Sequence, residues 1–567
     1  MALFRQSEWS FTKKALELVT TNPFDPNWSK KGRDLLGLRI RNVDEVIAYS
    51  LGAELWGPHS VYSEELHHKI TKMGVLIQKR LQDGVSATAE ELARYELLAI
   101  YRLYCDYGQR MDQFIDAAVR THGQRSSDAP PSQERERQRV IERMWDGFHS
   151  SFQNLFQFKH RSFQPEYKPE HVFACFFLFR RAFYHIFFNF IGFSKPIAQL
   201  RKTVWESIVT HDLLGLMRAF YQRMKDIPTL ITGPSGTGKE RVAEAIGRSL
   251  YIPFNAEKKA FEIDFLNAEK KTVKIDFLEA FKPVNLSALL PQLIESEVFG
   301  HVKGAFTGAV SDRIGRLEEC PEHGALFLDE IGELTGEIQV KLLRLLQTRR
   351  FQRVGANKDK EFLGKILAAT NRDLDAEMEA RRFRPDFYYR LCADRIRTPS
   401  LREQLNDRPS DLQLFVEFVC RNVVGEDRAV EFAPKVVVWI EQHLRGYDWP
   451  GNFRELEQCV RSYLIRKEYH PAQRVQSKVD KGSPQPPRDL LEEACEMLAA
   501  AAEEVKAACA DNADLKKQPL FLRIKRRLFI QVRARAATDQ EAAALLGIDV
   551  RTLKAVLAES KKGLSRI

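Results

Sequence analysis

The twelve residues TLITGPSGTGKE (229–240) constrain the fold of this chain more than any other segment. A short apolar strand leads into Gly233-x-x-x-x-Gly238-Lys239, and the helical pattern RVAEAIGRSL follows at once. In this order, backbone N–H groups of the loop can curve around a phosphate while the lysine supplies positive charge. A chance glycine-rich loop is the alternative, but it would not require a strand before it and a helix after it. The segment therefore predicts a phosphate-binding α/β domain.

Short apolar segments alternate with helical patterns from about residue 196 onward. Four of these segments predict strands: PTLITG, KPVNLS, GALFLDE and KILAATN. Such alternation predicts a parallel sheet covered by helices on both faces. The third strand ends in Asp329-Glu330, and carboxylates there can hold Mg²⁺ and orient water for attack on a phosphate. An acidic pair at a strand end is ordinary by itself, but beside a phosphate loop it predicts an ATPase site.

Nine segments, in order, resemble the AAA+ domain of bacterial sigma-54-dependent transcriptional activators. They are GPSGTGKE, ESEVFGHVKGAFTGAV, GALFLDEIGEL, KLLRLLQ, FQRVGA, AATNRDL, FRPDFYYRL, SLREQ and WPGNFRELEQ. The resemblance covers about residues 195–468. It implies an ATPase that works as a homo-oligomeric ring, expected to be a hexamer, and that remodels sigma-54 RNA polymerase to start transcription. Glu240 follows the P-loop lysine where most P-loops carry Ser or Thr, and this glutamate is usual in the family.

The resemblance also implies which residues bind the nucleotide and the metal. ATP would be bound by Gly233, Pro234, Ser235, Gly236, Thr237, Gly238, Lys239, Glu240 and, from the helical lid, the sensor Arg454. Asp329 would serve Mg²⁺, and Glu330 would position the attacking water. Asn285 falls at the family's switch asparagine that restrains this glutamate. Asn371 would sense the γ-phosphate.

Two arginines, Arg384 and Arg390, match the family's arginine fingers, which reach into a neighbouring subunit's site. An arginine at a helix end is also a common salt-bridge former. The finger interpretation is favoured because phosphoryl transfer needs positive charge at the γ-phosphate, and that charge is commonly supplied in trans.

The hexapeptide GAFTGA is the segment that the resemblance links to sigma-54. It would form a mobile pore loop whose members contact the partner: Gly304, Ala305, Phe306, Thr307, Gly308 and Ala309. Glycines allow the bend because they reach backbone angles that other residues avoid. The alternative is a turn packed into the domain's own core. A neighbouring departure from the commonest family form is Val302, where an acidic or polar residue is frequent.

The first 195 residues predict helices without recognisable chemistry. Thr88 and Glu91 form a capping-box pattern at the start of one helix, and the polar segment 122–138 predicts a break. The apolar stretch 171–193 predicts a buried aromatic helix, because four charged or polar residues interrupt it where a membrane span should be free of charge. Glu65-x-x-His68 has the spacing of a di-iron ligand pair, but one copy favours an ordinary surface pair.

A twelve-residue repeat precedes the second predicted strand. EKKAFEIDFLNA (257–268) and EKKTVKIDFLEA (269–280) are identical at eight of twelve positions. Alternating apolar residues in both copies predict a β-hairpin inserted at the edge of the domain. Two copies are too few for a solenoid, and a recent duplication in a tolerant loop is the simplest origin.

The C-terminal region carries most of the net charge. From Lys516 to Ile567 there are 13 Lys and Arg against 4 Asp and Glu, or +9 of the chain's +10. Residues 539–560 predict a helix-turn-helix, which resembles the Fis-type domain that ends many of these activators. Double-stranded DNA is then the expected partner, read by Arg551, Thr552 and Lys554. An alanine-rich helical pair used for dimerisation is the alternative.

Together these patterns predict five regions. They are helices at 1–195, the α/β ATPase subdomain at 196–398, a helical lid at 399–469, a linker at 470–489, and the basic helical end at 490–567. No signal-peptide pattern is seen, and the eight scattered cysteines favour reduced thiols of a cytoplasmic protein. An AAA+ remodeller of another target and a DNA-binding repressor with a structural ATPase fold remain alternatives.

Overall fold

The computed structural model describes residues 3–20, 22–24, 61–122, 131–158, 161–162, 164–261, 264–266, 272–274 and 277–471. Contacts divide the chain into two units, 1–471 and 472–567. The second unit, with the expected helix-turn-helix, lies outside the described residues. In the part that is described, no helix combines the length and apolarity needed to cross a bilayer.

The described residues of the N-terminal region form helices and one short β-pair. Its elements are α1 (Gln6–Val19), α2 (Val61–Gln82), α3 (Ala89–His122), α4 (Pro131–Phe156), β1 (Gln157–Phe158), β2 (Arg161–Ser162) and α5 (Pro169–Asn189). The predicted capping box begins α3: Thr88 Oγ1 accepts from the N–H of Glu91 at 3.2 Å, and the Glu91 carboxylate accepts from the N–H of Thr88 at 2.9 Å. The aromatic helix α5 is buried at 14 of its 21 residues, which confirms the prediction of a core helix.

The ATPase region is a five-stranded parallel sheet with helices on both faces. Its elements are α6 (Lys195–Val209), α7 (Leu213–Arg218), β3 (Thr229–Thr232), α8 (Lys239–Gly247), β4 (Phe254–Asn255), β5 (Ala260–Phe261), β6 (Asp264–Leu266), β7 (Thr272–Lys274), β8 (Phe281–Asn285), α9 (Pro291–Phe299), β9 (Gly300–His301), β10 (Arg313–Ile314), α10 (Arg316–Glu319), β11 (Ala325–Asp329), α11 (Gly336–Thr348), β12 (Arg350–Phe351), β13 (Lys360–Glu361), β14 (Lys365–Thr370), α12 (Leu374–Glu379), α13 (Pro385–Leu391) and β15 (Asp394–Arg397).

The strand order is β15-β3-β14-β11-β8, and every neighbouring pair is parallel. All four strands predicted from the sequence lie in this sheet. The order places β3 between β15 and β14, so that the loop after β3 opens at a topological switch point, where α/β sheets bind ligands. The fifth strand, β15, was not predicted.

The duplicated insert forms the predicted hairpin. Strands β6 and β7 pair antiparallel, with Phe265 opposite Val273, so that each copy of the repeat supplies one strand of this pair.

Four helices occupy the region for which a helical lid was predicted. They are α14 (Leu401–Asp407), α15 (Asp411–Val424), α16 (Glu426–His443) and α17 (Asn452–Arg466). Their buried residues, Phe415 among them, make a core of their own together with Trp449, which precedes α17.

Two further apolar cores lie on opposite faces of the sheet, because successive strand residues point to opposite sides. Leu230 belongs to one core, which also includes α9, α11 and α13. Its neighbour Ile231 belongs to the other, which continues through α8 into α3, α4 and α5 of the N-terminal region. The N-terminal helices therefore share one core with the ATPase sheet.

Candidate functional site

The loop between β3 and α8 has the geometry of a phosphate loop. Lys239, the first residue of α8, is buried, and its Nζ donates to the carbonyl oxygens of Gly233 at 3.0 Å and Pro234 at 3.3 Å. Burial lowers the pKa of Lys239, while the carboxylates of Glu330 and Asp329 act in the opposite direction. The ammonium group thus lies inside the loop, within electrostatic reach of both predicted catalytic carboxylates.

The end of β15 supports the P-loop from one side. Thr237 Oγ1 donates to the Pro234 carbonyl at 2.8 Å and lies 2.6 Å from Thr398 Oγ1. The N–H of Thr398 donates to the Thr232 carbonyl at 2.9 Å, so that the residue is fixed against the last residue of β3. Thr398 was not identified from the sequence, since nothing local distinguishes it from an ordinary strand-end threonine.

The lid holds the P-loop from the other side. Asn452 Nδ2 donates to the Ser235 carbonyl at 2.9 Å, and the N–H of Phe453 donates to the Gly236 carbonyl at 3.1 Å. Arg454 Nη1 donates to Ser235 Oγ at 3.3 Å. The predicted lid sensor therefore lies beside the phosphate loop of its own chain.

Asn452 was missed as a site residue, although it stands in the quoted segment WPGNFRELEQ. It is buried, has a φ of +53°, and accepts from the N–H of Leu401 at 2.8 Å. Positive φ is rare outside glycine but is tolerated by asparagine. The P-loop and the segment around Asn452 also approach each other closely: a Cβ on Gly236 would lie 2.3 Å from the carbonyl oxygen of Gly451. Only a glycine fits in the P-loop at this point.

Asp329 and Glu330 lie where β11 ends, beside Lys239. Glu330 has a left-handed backbone conformation, φ 58° and ψ 51°, and its Oε2 accepts from the N–H of Asn371 at 3.2 Å. Strained non-glycine residues of this kind cluster at functional sites. Burial raises the pKa of Asp329, an effect that Lys239 only partly offsets and that Glu240 reinforces.

Asn285 lies on the strand next to this carboxylate pair, but its side chain forms hydrogen bonds with Ser287. It stands opposite Asp329 in the β8–β11 register. Its Oδ1 accepts from the Ser287 N–H at 3.0 Å and from Ser287 Oγ at 2.8 Å, which caps a short 3-10 turn. Within the described part of the chain, the structure does not join Asn285 to Glu330 by a hydrogen bond. The switch role stays a prediction.

The two candidate fingers lie at the surface, at either end of α13. Arg384 forms a two-point ion pair with Asp386, with Nε–Oδ1 at 3.0 Å and Nη2–Oδ2 at 2.7 Å. The salt-bridge interpretation therefore describes Arg384 in the isolated chain. Arg390 is exposed in the last turn of the helix. Neither is part of the hydrogen-bonded surroundings of the P-loop described above.

The hexapeptide forms a tight turn between β9 and β10, which pair antiparallel. The N–H of Gly304 donates to the Ala309 carbonyl at 2.9 Å, and the N–H of Ala309 donates to the Phe306 carbonyl at 3.0 Å. Gly304 and Gly308 have φ values of +82° and +104°, conformations that side chains other than glycine rarely adopt. Both glycines are therefore required by the bend.

The tip of this turn exposes apolar surface. The Phe306 side chain is 40% exposed, with its ring edge-on to His301 at a centroid distance of 5.0 Å, and Val310 is 81% exposed. Thr307 is exposed as well. Ala309, which the resemblance included among the partner contacts, is buried because it closes the turn. The loop is not a segment packed into the domain core.

A second loop fixes the base of the turn. The N–H of Val302 donates to the Val354 carbonyl at 3.1 Å, and the N–H of Val354 donates to the Gly300 carbonyl at 2.9 Å. Next to it, Arg353 pairs with Glu318 at 2.5 Å and 2.7 Å, and Lys360 pairs with the same carboxylate. The turn therefore projects from a base that is ordered on both sides.

Three predicted DNA contacts, Arg551, Thr552 and Lys554, lie outside the described residues. Among the residues that are described, no group of three or more His, Cys, Asp or Glu side chains is placed to hold a metal ion.

Comparison with known proteins agrees with the geometry. Residues 209–397 match the family model described as the Sigma-54 interaction domain. The chain is 39% identical over 270 residues to the anaerobic nitric oxide reductase transcription regulator NorR of Salmonella paratyphi C, covering 46% of this chain and 47% of NorR. It is 38% identical over 309 residues to the transcriptional regulatory protein ZraR of Escherichia coli, covering 52% and 63%.

Among solved structures, NtrX from Brucella abortus in complex with ADP aligns with 75% of this chain and 86% of that chain at 19% identity. The TM-score of this alignment is 0.36. The aligned region spans about half the length of these curated relatives. The resemblance to sigma-54-dependent activators is confirmed for the ATPase region, which has the α/β AAA+ fold.

Proposed function

We propose that this chain is an ATP-driven activator that binds upstream DNA and remodels sigma-54 RNA polymerase to start transcription. One observation supports the proposal most strongly. An exposed phenylalanine stands at the tip of a glycine-bent loop, on the same domain that places Lys239, Asp329 and Glu330 together. A domain that only bound nucleotide would have no use for such a loop. Binding residues are found disproportionately on loops that a rigid scaffold positions.

In this proposal the P-loop binds the phosphates of ATP. Lys239 supplies charge, and the backbone N–H groups at the start of α8 face the same ligand. Glu330 orients the attacking water, and its bond to the N–H of Asn371 gives the γ-phosphate sensor a direct connection to that carboxylate. Arg454, held near Ser235, completes the site from the lid.

Mg²⁺ fits the carboxylates present at this site. Burial raises the pKa of Asp329 even with Lys239 nearby, so a cation beside the carboxylate would favour its charged form. Magnesium in phosphoryl-transfer sites uses one or two carboxylates together with phosphate oxygens and water. A protein cluster of three ligands is therefore not required. When bound, the ion neutralises charge that develops on the transferred phosphoryl group.

Arg384 and Arg390 are assigned to the site of a neighbouring subunit, which makes the active form a ring, expected to be a hexamer. Their exposure supports this assignment, because a finger acting in trans must be free of its own chain's core. Arg384 would have to exchange its partner Asp386 for the neighbour's nucleotide. Such an exchange is inexpensive, because exposed ion pairs contribute little to stability.

The chain would be cytoplasmic, with double-stranded DNA bound at its basic C-terminal end. The proposal for DNA binding rests on the charge of residues 516–567 and on the helix-turn-helix pattern, with Arg551, Thr552 and Lys554 reading bases.

The deciding experiment compares Phe306→Ala with Val310→Ala, which removes a neighbouring and more exposed side chain. Phe306→Ala should keep its fold and ATPase activity but lose about tenfold or more in sigma-54 binding, measured with a transition-state nucleotide analogue, and in open-complex formation. Val310→Ala should stay within about twofold of the wild type in both assays. Normal open-complex formation by Phe306→Ala would refute the proposed role of the loop. ATP hydrolysis without sigma-54 binding by the wild type would instead indicate a remodeller of another target.

A further inference from the structure

A cavity of about 740 Å³ lies between the N-terminal helix α5 and the ATPase region. Residues of α5 and α7 line it together with the segment that follows α8, and with the turns that precede β3 and β11. Those turns are at the amino ends of the strands, whereas the P-loop follows the carboxyl end of β3. The cavity therefore lies at the opposite edge of the sheet from the nucleotide site. Its volume is within the range of small-molecule sites.

Three aromatic rings form one wall of this cavity. His171 lies 4.4 Å from Tyr221 and 5.6 Å from Tyr251, and the two tyrosine rings are 4.7 Å apart between centroids. His171 is fixed at both ring nitrogens, by the Met217 carbonyl at 2.8 Å and by the Tyr251 hydroxyl at 2.9 Å. Because a carbonyl only accepts, Nε2 carries the proton, and Nδ1 accepts from Tyr251.

Burial favours the neutral form of the histidine in this wall. Burial lowers the pKa of His171, and its hydrogen bonds need only the one ring proton. The wall is then three uncharged aromatic rings, whose faces carry negative electrostatic potential and attract cations.

The charges around the cavity favour a cation as well. Each basic side chain of the lining has an acidic partner there: Lys225 is paired with Glu322 at 2.8 Å, and Arg223 with Asp226 at 3.7 Å. Asp226 is shared with Arg349, which lies 3.6 Å away and outside the lining. Glu170 is the fifth charged side chain of the lining, and no described residue forms an ion pair or a hydrogen bond with its carboxylate. It lies close enough to act electrostatically on both His171 and Tyr251.

We propose that this cavity is a binding site for a small organic ammonium ion, with the rings of His171, Tyr221 and Tyr251 contacting the cation and Glu170 supplying the negative charge. Aromatic faces combined with a carboxylate are the means by which proteins recognise amines and quaternary ammonium groups. A ligand there contacts Tyr251, four residues beyond the end of α8, the helix that begins with the P-loop lysine. The ligand would therefore bind next to the helix that carries the P-loop lysine. This binding would not depend on sigma-54.

The test is calorimetric titration of the full chain with choline, tetramethylammonium and putrescine chlorides, and with sodium succinate as the anionic probe. At least one ammonium probe should bind with one-to-one stoichiometry, and succinate should not. Glu170→Gln and Tyr221→Leu should each weaken that binding by about tenfold or more. Glu441→Gln, an exposed lid glutamate, should leave it within about twofold.

Three results would overturn the site: no ammonium probe binds, succinate binds in preference, or neither cavity variant changes the affinity. Glu170→Gln keeps the shape of the side chain, so it remains informative even if Tyr221→Leu does not fold. Sigma-54 binding and open-complex formation are not used here. A negative result would therefore leave the proposed function standing, and the failure of that function would leave this site standing.

Discussion

The P-loop and the projecting loop are both glycine-rich turns, yet they are held in opposite ways. The P-loop is fixed from outside, by Thr398 on one side and by the lid residues Asn452 to Arg454 on the other. The projecting loop is fixed at its base by the segment around Val354 and Gly355, and its tip is closed by its own hydrogen bonds, with Phe306 left exposed. A site for phosphate chemistry needs its donors in place beforehand. A loop that contacts a partner needs surface. Glycine content alone does not distinguish the two.

The largest difference between the two loops should appear with Lys239→Ala. Removing the ammonium group should weaken ATP binding by about a hundredfold or more, because charge-assisted bonds to phosphate are among the strongest polar interactions. Phe306→Ala should leave ATP affinity within about twofold. Titration with a fluorescent ATP analogue measures both, and Lys435→Ala on the exposed face of the lid is the control lysine. Equal losses of ATP affinity in the Lys239 and Phe306 variants would show that the two loops do not differ in their role in nucleotide binding.

A second experiment asks whether the nucleotide site is complete within one chain. Arg390→Ala and Glu330→Gln should each lower ATP hydrolysis by about a hundredfold, while mixtures should recover part of the activity. Recovery is expected because some interfaces in a mixed ring combine an intact finger with an intact glutamate. Steady-state hydrolysis is measured across mixing ratios. Activity that merely averages the two variants at every ratio would place the arginine in its own chain's site.

The lid contact should give an intermediate effect. Asn452→Ala leaves the N–H of Leu401 and the carbonyl of Ser235 without their partner, so we expect a loss of about 1–3 kcal/mol of unfolding free energy. ATP affinity should fall several-fold, because the lid no longer holds the P-loop. Chemical denaturation and ATP titration measure the two effects. The exposed lid variant Asn422→Ala should change neither. A wild-type-like Asn452→Ala would show that the P-loop holds its shape without the lid.

The smallest effect concerns the charge at the nucleotide site. Burial raises the pKa of Asp329, so its ionised form destabilises the nucleotide-free protein at pH 7. Asp329→Asn should therefore be more stable than the wild type at pH 7 without nucleotide, by less than about 1 kcal/mol because the carboxylate is partly solvated. As pH falls through the raised pKa, the native wild type takes up the proton and this advantage should shrink. Thermal melting at pH 7 and at lower pH tests the direction of this stability difference, with Asp83→Asn as a surface control. A variant less stable than the wild type at pH 7 would contradict the burial cost.

The parallel sheet could be predicted because its three inner strands, β3, β14 and β11, are apolar runs between helical patterns. The edge strand β8 still offers two buried apolar residues, Phe281 and Val284. Strand β15 was missed because only Ile396 of Asp394–Arg397 is buried, and a polar edge strand carries little sequence signal. Its position is set by tertiary bonds instead: Asp394 Oδ2 accepts from Ser207 Oγ at 2.5 Å and from Thr229 Oγ1 at 2.8 Å. No local pattern records partners so distant in sequence.

The candidate site was predicted to the extent that its residues lie in contiguous motifs. Lys239, Asp329 and Glu330 are brought together as the strand-end positions require. Asn452 and Thr398 escaped because their role is to hold other residues, and such roles depend on contacts between segments that are far apart in the sequence. Asn285 shows the converse case, a motif residue whose expected partner is exchanged for Ser287 in this conformation.

The apolar core shared by the N-terminal helices and one face of the sheet limits where the gene for this chain can be divided or recombined. Residue 195 separates two sequence patterns, but Phe173 and Trp145 pack in the same core as Ile246 and Phe327. Arg181 of α5 joins the two parts further by donating to the carbonyl oxygens of Arg248 and Leu250, just past α8. A gene cut at this boundary would yield an ATPase with an uncovered apolar face, which is a cause of aggregation. Swapping the first 195 residues with those of a relative would therefore fail unless the covered face of the ATPase changed with them.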